Sequence, residues 1–472
     1  TALAALAQPA LAQDYVIKVS SPTIHDVTEV WMKEFKKGVE ERSGGKIAFV
    51  TLRDGTGTVQ CTVKAGIADD ESLEAAKGAL IESSISLLEG EVFADERAPG
   101  GYEVKATKVV VHQRAEDFPL RGEQGTEFEL DNRHLWLRST QLSTVLRVKS
   151  RLLLAIREFF AKEAFAEVDP SVITTNACEG GSTLFTFDYF GQEAYLSQSA
   201  QMYLEGCIFG NPKVYSVTNS FRAEKSRTNK HLTEFHHLEA EYAWWDNEDS
   251  MAFQERLVTY LAHDIATHCA DDLRALDQDP ERLLKIGSFV PGESLADEPG
   301  KRFGRVTYHA AAQELRDLGF EFPDGEDFGA PHEKALTEGK TNPMFIVDWP
   351  AEIKAFYMLQ DPENPDVVKC SDLLGPDGFG ELIGGSQRSE DVEWMKRRLQ
   401  EQHDHDVATG ELPEDAVLDL APYEWYFDLR RYGSVPHSGF GLGIERLVRW
   451  FTGTEHIRDT LPYPRTPSRA YP

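Results

Sequence analysis

Residues 221–241 read FRAEKSRTNKHLTEFHHLEAE. Side chains alternate across a strand, so Arg222 and Glu224 share one face, and Glu239 and Glu241 share one face further on. A polar, basic loop lies between them, with Lys225, Arg227, Lys230 and His231. A strand–loop–strand that presents Arg and acids together can hold a nucleotide. The guanidinium neutralises a phosphate, and a carboxylate accepts the adenine amino group. A solvated hairpin laced with ion pairs would read the same way.

Two more segments carry chemistry. Residues 439–446 (GFGLGIER) open a helix, and their glycines let the backbone pass close to a ligand, which sets Arg446 beside a phosphate or base. No strand-plus-glycine-loop dinucleotide unit surrounds them, and a glycine-rich turn into an amphipathic helix is the bland alternative. In 372–388 (DLLGPDGFGELIGGSQR), Asp372 and Glu381 could share a Mg²⁺ through oxygen ligands, and Arg388 could grip a carboxylate. Taken alone, two acids and a Gly-Gly turn are commonplace.

These side chains need a sheet to carry them. Strand-type runs occur at 183–189, 194–197, 214–217, 238–245, 343–347, 355–359 and 425–429. Before them, 139–166 is helical, with Leu146, Leu153, Ile156 and Phe160 at helical spacing and Pro170 just beyond. A last helix follows Gly441. The acidic, helix-rich stretch 246–340 reads as an inserted or peripheral bundle. The fold class is therefore α+β, with a mostly antiparallel sheet flanked by helices. Short strands with Gly-rich turns and one helix near 69–81 fill 25–120, which suits a small barrel such as an OB-fold. The expected organisation is an extension (1–24), the barrel (25–120), a hinge (121–138) and a catalytic domain (139–472).

Composition sets further bounds. The 472 residues are 41% apolar and 10% aromatic, as a globular chain should be. No apolar run is long enough to span a membrane. The Ala-rich start, 1–13, lacks the basic region of a secretory signal. Cys61, Cys178, Cys207, Cys269 and Cys370 are scattered with no CxxC pair, which argues against a zinc ribbon and for a reducing, cytoplasmic compartment. With 49 basic and 79 acidic residues the net charge is −30, so any nucleic acid must be met by local basic patches.

Together the three segments resemble the motifs of class II aminoacyl-tRNA synthetases. AEVDPSVI (166–173), after its long helix, is similar to motif 1, FRAE…HLTEF to motif 2 and GLGIER to motif 3. An N-terminal barrel places the resemblance in the Asp/Asn/Lys subgroup, where it would bind the anticodon. Within that subgroup RAEKSRT…HLTEF, GELIGGSQR, DLRRYGSVPHSGFGLGIERL and LPYPRTP are most similar to asparaginyl-tRNA synthetases. Aspartyl relatives usually carry a Lys after the QSxQxY stretch; here QSAQMY is followed by Leu204 and Glu205. Losing that cation removes the reason to prefer a charged substrate side chain, and a nearby acid, Glu239 before Glu205, would repel aspartate. Two positions depart from relatives: Lys230 where Arg is frequent, and Gly384 where aspartyl enzymes often have Ser.

The resemblance implies ATP and Mg²⁺ as reactants and cofactor, L-asparagine and tRNA(Asn) as partners, and a homodimer. Arg222 and Arg446 would be catalytic. The ATP site would comprise Arg222, Glu224, Lys230, His231, Glu381, Gly443, Glu445 and Arg446, with Asp372 and Glu381 on the metal. Glu179, Gln198, Gln201, Glu239 and Arg388 would hold the amino acid. In the barrel, Phe49 could stack an anticodon base and Gln60 read a base edge, near the basic cluster Lys33, Lys36, Lys37, Arg42 and Lys46. A core role for Phe49 and a plain solvated face for the cluster stay open. Rival readings are an aspartyl enzyme that charges both tRNAs, an ATP-dependent paralogue that forms asparagine (a type without the barrel), and a non-catalytic protein on the same fold.

Overall fold

The computed structural model describes residues 17–19, 41–55, 57–96, 98–120, 125–178, 183–224, 231–294, 301–410 and 412–472. The chain divides into two compact units, Thr1–Ser143 (with Pro472) and Thr144–Tyr471.

The first unit is built on a closed barrel of β1 (Ile17–Val19), β2 (Ile47–Arg53), β3 (Thr58–Lys64), β4 (Ser84–Ala94) and β5 (Tyr102–Gln113), in the order β1–β2–β3–β5–β4. All neighbours are antiparallel except β3 and β5. Strict alternation on β2 turns Ala48, Val50 and Leu52 inward, where they meet Cys61, Val63, Ile85 and Ala106. The helix Asp70–Lys77 starts at Asp69, whose carboxylate accepts from Ser72 N–H, and it buries Leu73 and Ala76. β1 lies inside the stretch expected to be an extension; three residues are too few to show a period. Within the expected hinge are two short helices, Thr126–Asp131 and Arg133–Trp136.

The second unit holds an eight-stranded sheet in the order β12–β13–β14–β15–β16–β11–β10–β6. Its strands are β6 (Ala166–Glu167), β10 (Lys213–Phe221), β11 (Glu234–Ala243), β12 (Gly304–Thr307), β13 (Met344–Pro350), β14 (Val367–Gly375), β15 (Gly380–Gln387) and β16 (His437–Gly443). Only the two outer pairs, β12/β13 and β10/β6, are parallel. A three-stranded sheet, β7 (Ile173–Thr174), β9 (Gln192–Leu196) and β8 (Phe185–Tyr189), stands apart.

Helices Thr140–Lys162 and Asn247–His268 supply most of the core against this sheet. Phe160 stacks on Tyr215 with ring centroids 4.2 Å apart, and Phe253, Leu257, Leu261 and Ile265 are fully buried. Each such side chain contributes about 2 kcal/mol of burial. The helix Asn247–His268 therefore corrects the expectation of a peripheral bundle at 246–340. Its charge count concealed an apolar stripe. Residues 425–429, expected as a strand, belong to the helix Glu424–Arg431. Five residues cannot separate the two periods, and Tyr426, Phe427 and Arg430 bury one helical face.

Candidate functional site

β11 runs the length of the site. Phe235, His237, Glu239 and Glu241 alternate onto one of its faces. At its start, Phe221 of β10 pairs with Glu234, which brings Arg222 to that end. On the other side, Glu239 pairs with Gly441 and Glu241 with Gly439 of β16, and Gly441 pairs with Gly384 of β15. These glycines make a floor without side chains. A Cβ on Gly441 would sit 2.5 Å from His237 Nε2, and one on Gly439 would overlap the Glu241 carboxylate.

Above the floor lie two adjoining cavities of about 300 and 200 Å³. Arg222, His237, Glu381 and Gly441 line both. The smaller adds Glu224, His231, Phe235, Gly443, Glu445 and Arg446. There the Arg222 guanidinium lies over the Phe235 ring, 5.7 Å from its centroid, and His231 Nε2 lies 4.0 Å from Glu224. An aromatic ring, a carboxylate and guanidiniums around one cavity can hold a purine and its phosphates. Glu445 differs from its neighbours. Its buried carboxylate accepts from Lys149 Nζ (2.5 Å) and from both the ring (2.9 Å) and the backbone N–H (3.0 Å) of His236. Burial opposes its charge, but His236 and Lys149 hold its pKa below the ordinary value.

The larger cavity is lined by Gln201, Glu239, Lys354, Tyr357, Asp372 and Arg388 among others. Asp372 bonds Lys354 Nζ at 2.6 Å, while Glu381 takes Arg446 Nη1 at 3.3 Å. Burial and the Glu381 charge push Asp372 up to about 7 despite Lys354. Glu381, opposed by burial, is held low by Arg446, Lys354 and Arg222. Both carboxylates flank Gly384, where an added Cβ would lie 2.9 Å from Glu381 Oε1 and 3.7 Å from Asp372 Oδ1. Among the described residues no group of three or more His, Cys, Asp or Glu could hold a metal. Two converging carboxylates nonetheless fit Mg²⁺, which keeps waters and takes phosphate oxygens as its other ligands.

At the far end of β11, Arg388 pairs with Glu241 through two nitrogens, and its guanidinium lies over Tyr357, 5.2 Å from the ring centroid. Burial, together with Glu205 and against Arg388, pushes Glu241 up to about 7. Glu239 is held by the Ser199 hydroxyl and by Ala200 N–H at 2.7 Å.

Not every expected residue reaches a cavity. Gln198 instead accepts from Cys178 N–H (3.1 Å) and donates to Thr183 Oγ1 (2.7 Å). Leu204 is buried in a small apolar cluster with Ile208 and Val214. Glu179 and Lys230 lie outside the described residues, as do Lys33, Lys36 and Lys37. Sequence reasoning missed Phe235 and His237, although period two already placed them with Glu239. It also missed Lys354, Tyr357 and Asp327, which arrive on loops with no motif.

On the barrel, Phe49 points away from the face that Ala48 and Val50 bury, so it is not a core aromatic. It pairs with Thr62, and Gln60 donates to Glu103 at 2.9 Å.

This fold and site define an ATP-using synthetase with an appended nucleic-acid-binding barrel. The family described as "tRNA synthetases class II (D, K and N)" matches residues 125–467, and "OB-fold nucleic acid binding domain" matches 27–111. The chain belongs to the class II tRNA synthetases of that D, K and N group. It is an aminoacyl-tRNA synthetase of the Asp/Asn subgroup and binds ATP, an amino acid and tRNA. Asparaginyl-tRNA synthetase from Pyrococcus horikoshii, complexed with asparaginyl-adenylate, is similar at 44% identity and a TM-score of 0.81, over 91% of this chain and 93% of that one. The Entamoeba histolytica enzyme with asparaginyl-adenylate matches at 31% identity and 0.75, with 91% and 93% covered. Aspartyl-tRNA synthetase from Entamoeba histolytica matches at 26% and 0.71, with 91% and 87% covered. Among the described residues no helix is long and apolar enough to cross a membrane.

Proposed function

We propose that the chain is an asparagine–tRNA ligase: it activates L-asparagine with ATP and transfers it to tRNA(Asn). The observation that carries this reading is the far end of the larger cavity. Its cation, Arg388, is already paired with Glu241, and Glu239 stands beside them on the same strand face. Such an end offers donors to a carboxamide oxygen and an acid for its N–H₂, and it gives aspartate no unopposed charge. The similarity to enzymes complexed with asparaginyl-adenylate supports the same choice.

In the first step the asparagine carboxylate attacks the α-phosphorus and pyrophosphate leaves. The substrate is the nucleophile, so catalysis is positioning and charge stabilisation. Arg222 holds the α-phosphate, Glu224 the adenine amino group, and Lys230, His231 and Arg446 the rest of the triphosphate. Gly443 keeps the floor open, and Glu445 sets the helix that carries Arg446. Glu179 takes the substrate amino group, and Gln201 shapes the pocket with Glu239 and Arg388, while Gln198 ties Cys178 to Thr183. Asp372 and Glu381 would hold Mg²⁺, which when bound screens the phosphate charge. In the second step a terminal ribose hydroxyl of tRNA attacks the adenylate. Phe49 and Gln60 meet the anticodon. A cytoplasmic homodimer formed through the motif 1 segment, 166–173, completes the reading.

Charging assays with tRNA(Asn) and tRNA(Asp) transcripts, each with labelled asparagine or aspartate, test it. The expected product is Asn-tRNA(Asn) alone. Aspartate on both tRNAs would favour the relaxed aspartyl enzyme instead.

A further inference from the structure

Behind Arg388 lies a second carboxylate that the cavity never touches. Glu205, on the helix Gln201–Cys207, is fully buried. It accepts from Gln201 Nε2 (3.0 Å), from the Tyr426 hydroxyl (2.8 Å), from Arg430 Nη2 and from His437 Nε2 (3.0 Å). Arg388 Nε lies 4.0 Å from its Oε1. Arg388 thus faces two carboxylates, Glu241 directly and Glu205 at slightly longer range. Arg430 is anchored in turn by Ser389 O (3.1 Å), one residue from Arg388. Burial opposes the charge on Glu205, but Arg430, His437 and Arg388 hold it ionised.

We propose that Glu205 is a specificity-determining positioning residue: with Glu241 it balances the charges of Arg388 and Arg430, so that Arg388 presents its N–H groups without drawing a carboxylate. The inference rests on the asparagine reading above and supplies its physical cause. The reacting α-carboxylate must lie by the phosphates, near Arg222 at the start of β11. Arg388 and Glu241 stand at the other end, where the proposed function puts the substrate side chain. Two guanidiniums, with the His437 ring that bonds Glu205 and Val435 O, stand against two carboxylates, an arrangement that suits a neutral amide there. Remove one carboxylate and the same end favours aspartate; remove one guanidinium and it rejects aspartate more strongly. A buried ion cluster kept only for stability would show neither sign.

The test is ATP–pyrophosphate exchange with asparagine and with aspartate, measured side by side for the wild type, Glu205→Gln, Arg430→Gln and the double variant. Glu205→Gln is isosteric and keeps an acceptor for Arg430. The ratio of kcat/KM for asparagine over aspartate should fall roughly tenfold or more in Glu205→Gln and rise in Arg430→Gln. In the double variant it should return towards the wild-type value. Should Glu205→Gln not fold, the Arg430→Gln ratio decides alone. Loss of both activities in proportion, or shifts of the same sign in both single variants, would overturn the proposal. A wild type that prefers aspartate would defeat the substrate reading, while the opposed signs would still judge the charge balance.

Discussion

The Glu241 carboxylate fills the space that a side chain at Gly439 would need. The two residues pair across β11 and β16, so the glycine is the opening through which Glu241 reaches Arg388. Gly439→Ala should displace that carboxylate, with an overpacking cost of about 1–3 kcal/mol. KM for the amino acid should then rise more than KM for ATP in exchange assays. Equal effects on both would argue against this geometry.

Arg222 lines both cavities and lies over Phe235. If it stabilises charge on the α-phosphate, Arg222→Gln should lower kcat for exchange by about 10²–10³-fold. Thermal melting should move little, since the side chain is half-buried on the cavity wall. A change in KM alone would place Arg222 in ground-state binding instead.

Much of this site was legible before the structure. Alternation put Glu239 with Glu241 on β11, because strands have a fixed period. The strand expected under Arg222 and Glu224 stops at Phe221, and both residues follow its end. Motif resemblance tied them to Arg446 and Arg388. What stayed hidden was assembled from distant segments. Lys354 reaches Asp372 from a turn after β13, and Glu205, Arg430 and His437 meet from one helix, another helix and a strand. No spacing encodes such meetings. Glu445 was read as an ATP contact from its motif; the buried Lys149 that engages it sits on a helix some three hundred positions earlier in the chain and carries no motif of its own.

The Lys149–Glu445 pair ties the long helix Thr140–Lys162 to the helix that bears Arg446, with side chains 6% and 1% exposed. Lys149→Met should destabilise the protein by about 3–5 kcal/mol, because it strands a buried carboxylate. Chemical denaturation measures this. A loss below about 1 kcal/mol would mean that His236 suffices.

The same carboxylate has a pH signature. Its folded pKa lies below the ordinary 4.5, so its contribution is present above 4.5 and lost as pH falls through the folded value. Glu445→Gln should lack that component. Its stability should fall less steeply than the wild type's below pH 4.5. Parallel profiles would contradict the assignment.

Phe49 faces outward on β2, beside Gln60 and Thr62 of β3. Base stacking is worth about 1–3 kcal/mol, so Phe49→Ala should raise KM for tRNA roughly five- to hundredfold. The effect should appear in charging assays and not in exchange, which needs no tRNA. An unchanged KM for tRNA would move anticodon recognition to another face of the barrel.

The central claim is the choice of amino acid, and exchange of pyrophosphate into ATP reads it without tRNA. Asparagine and aspartate are supplied separately at matched concentrations. The predicted result is exchange with asparagine and a kcat/KM at least about a hundredfold lower with aspartate. Comparable exchange with aspartate would show that Arg388, Glu241 and Glu239 do not form a carboxamide site, and would contradict the account.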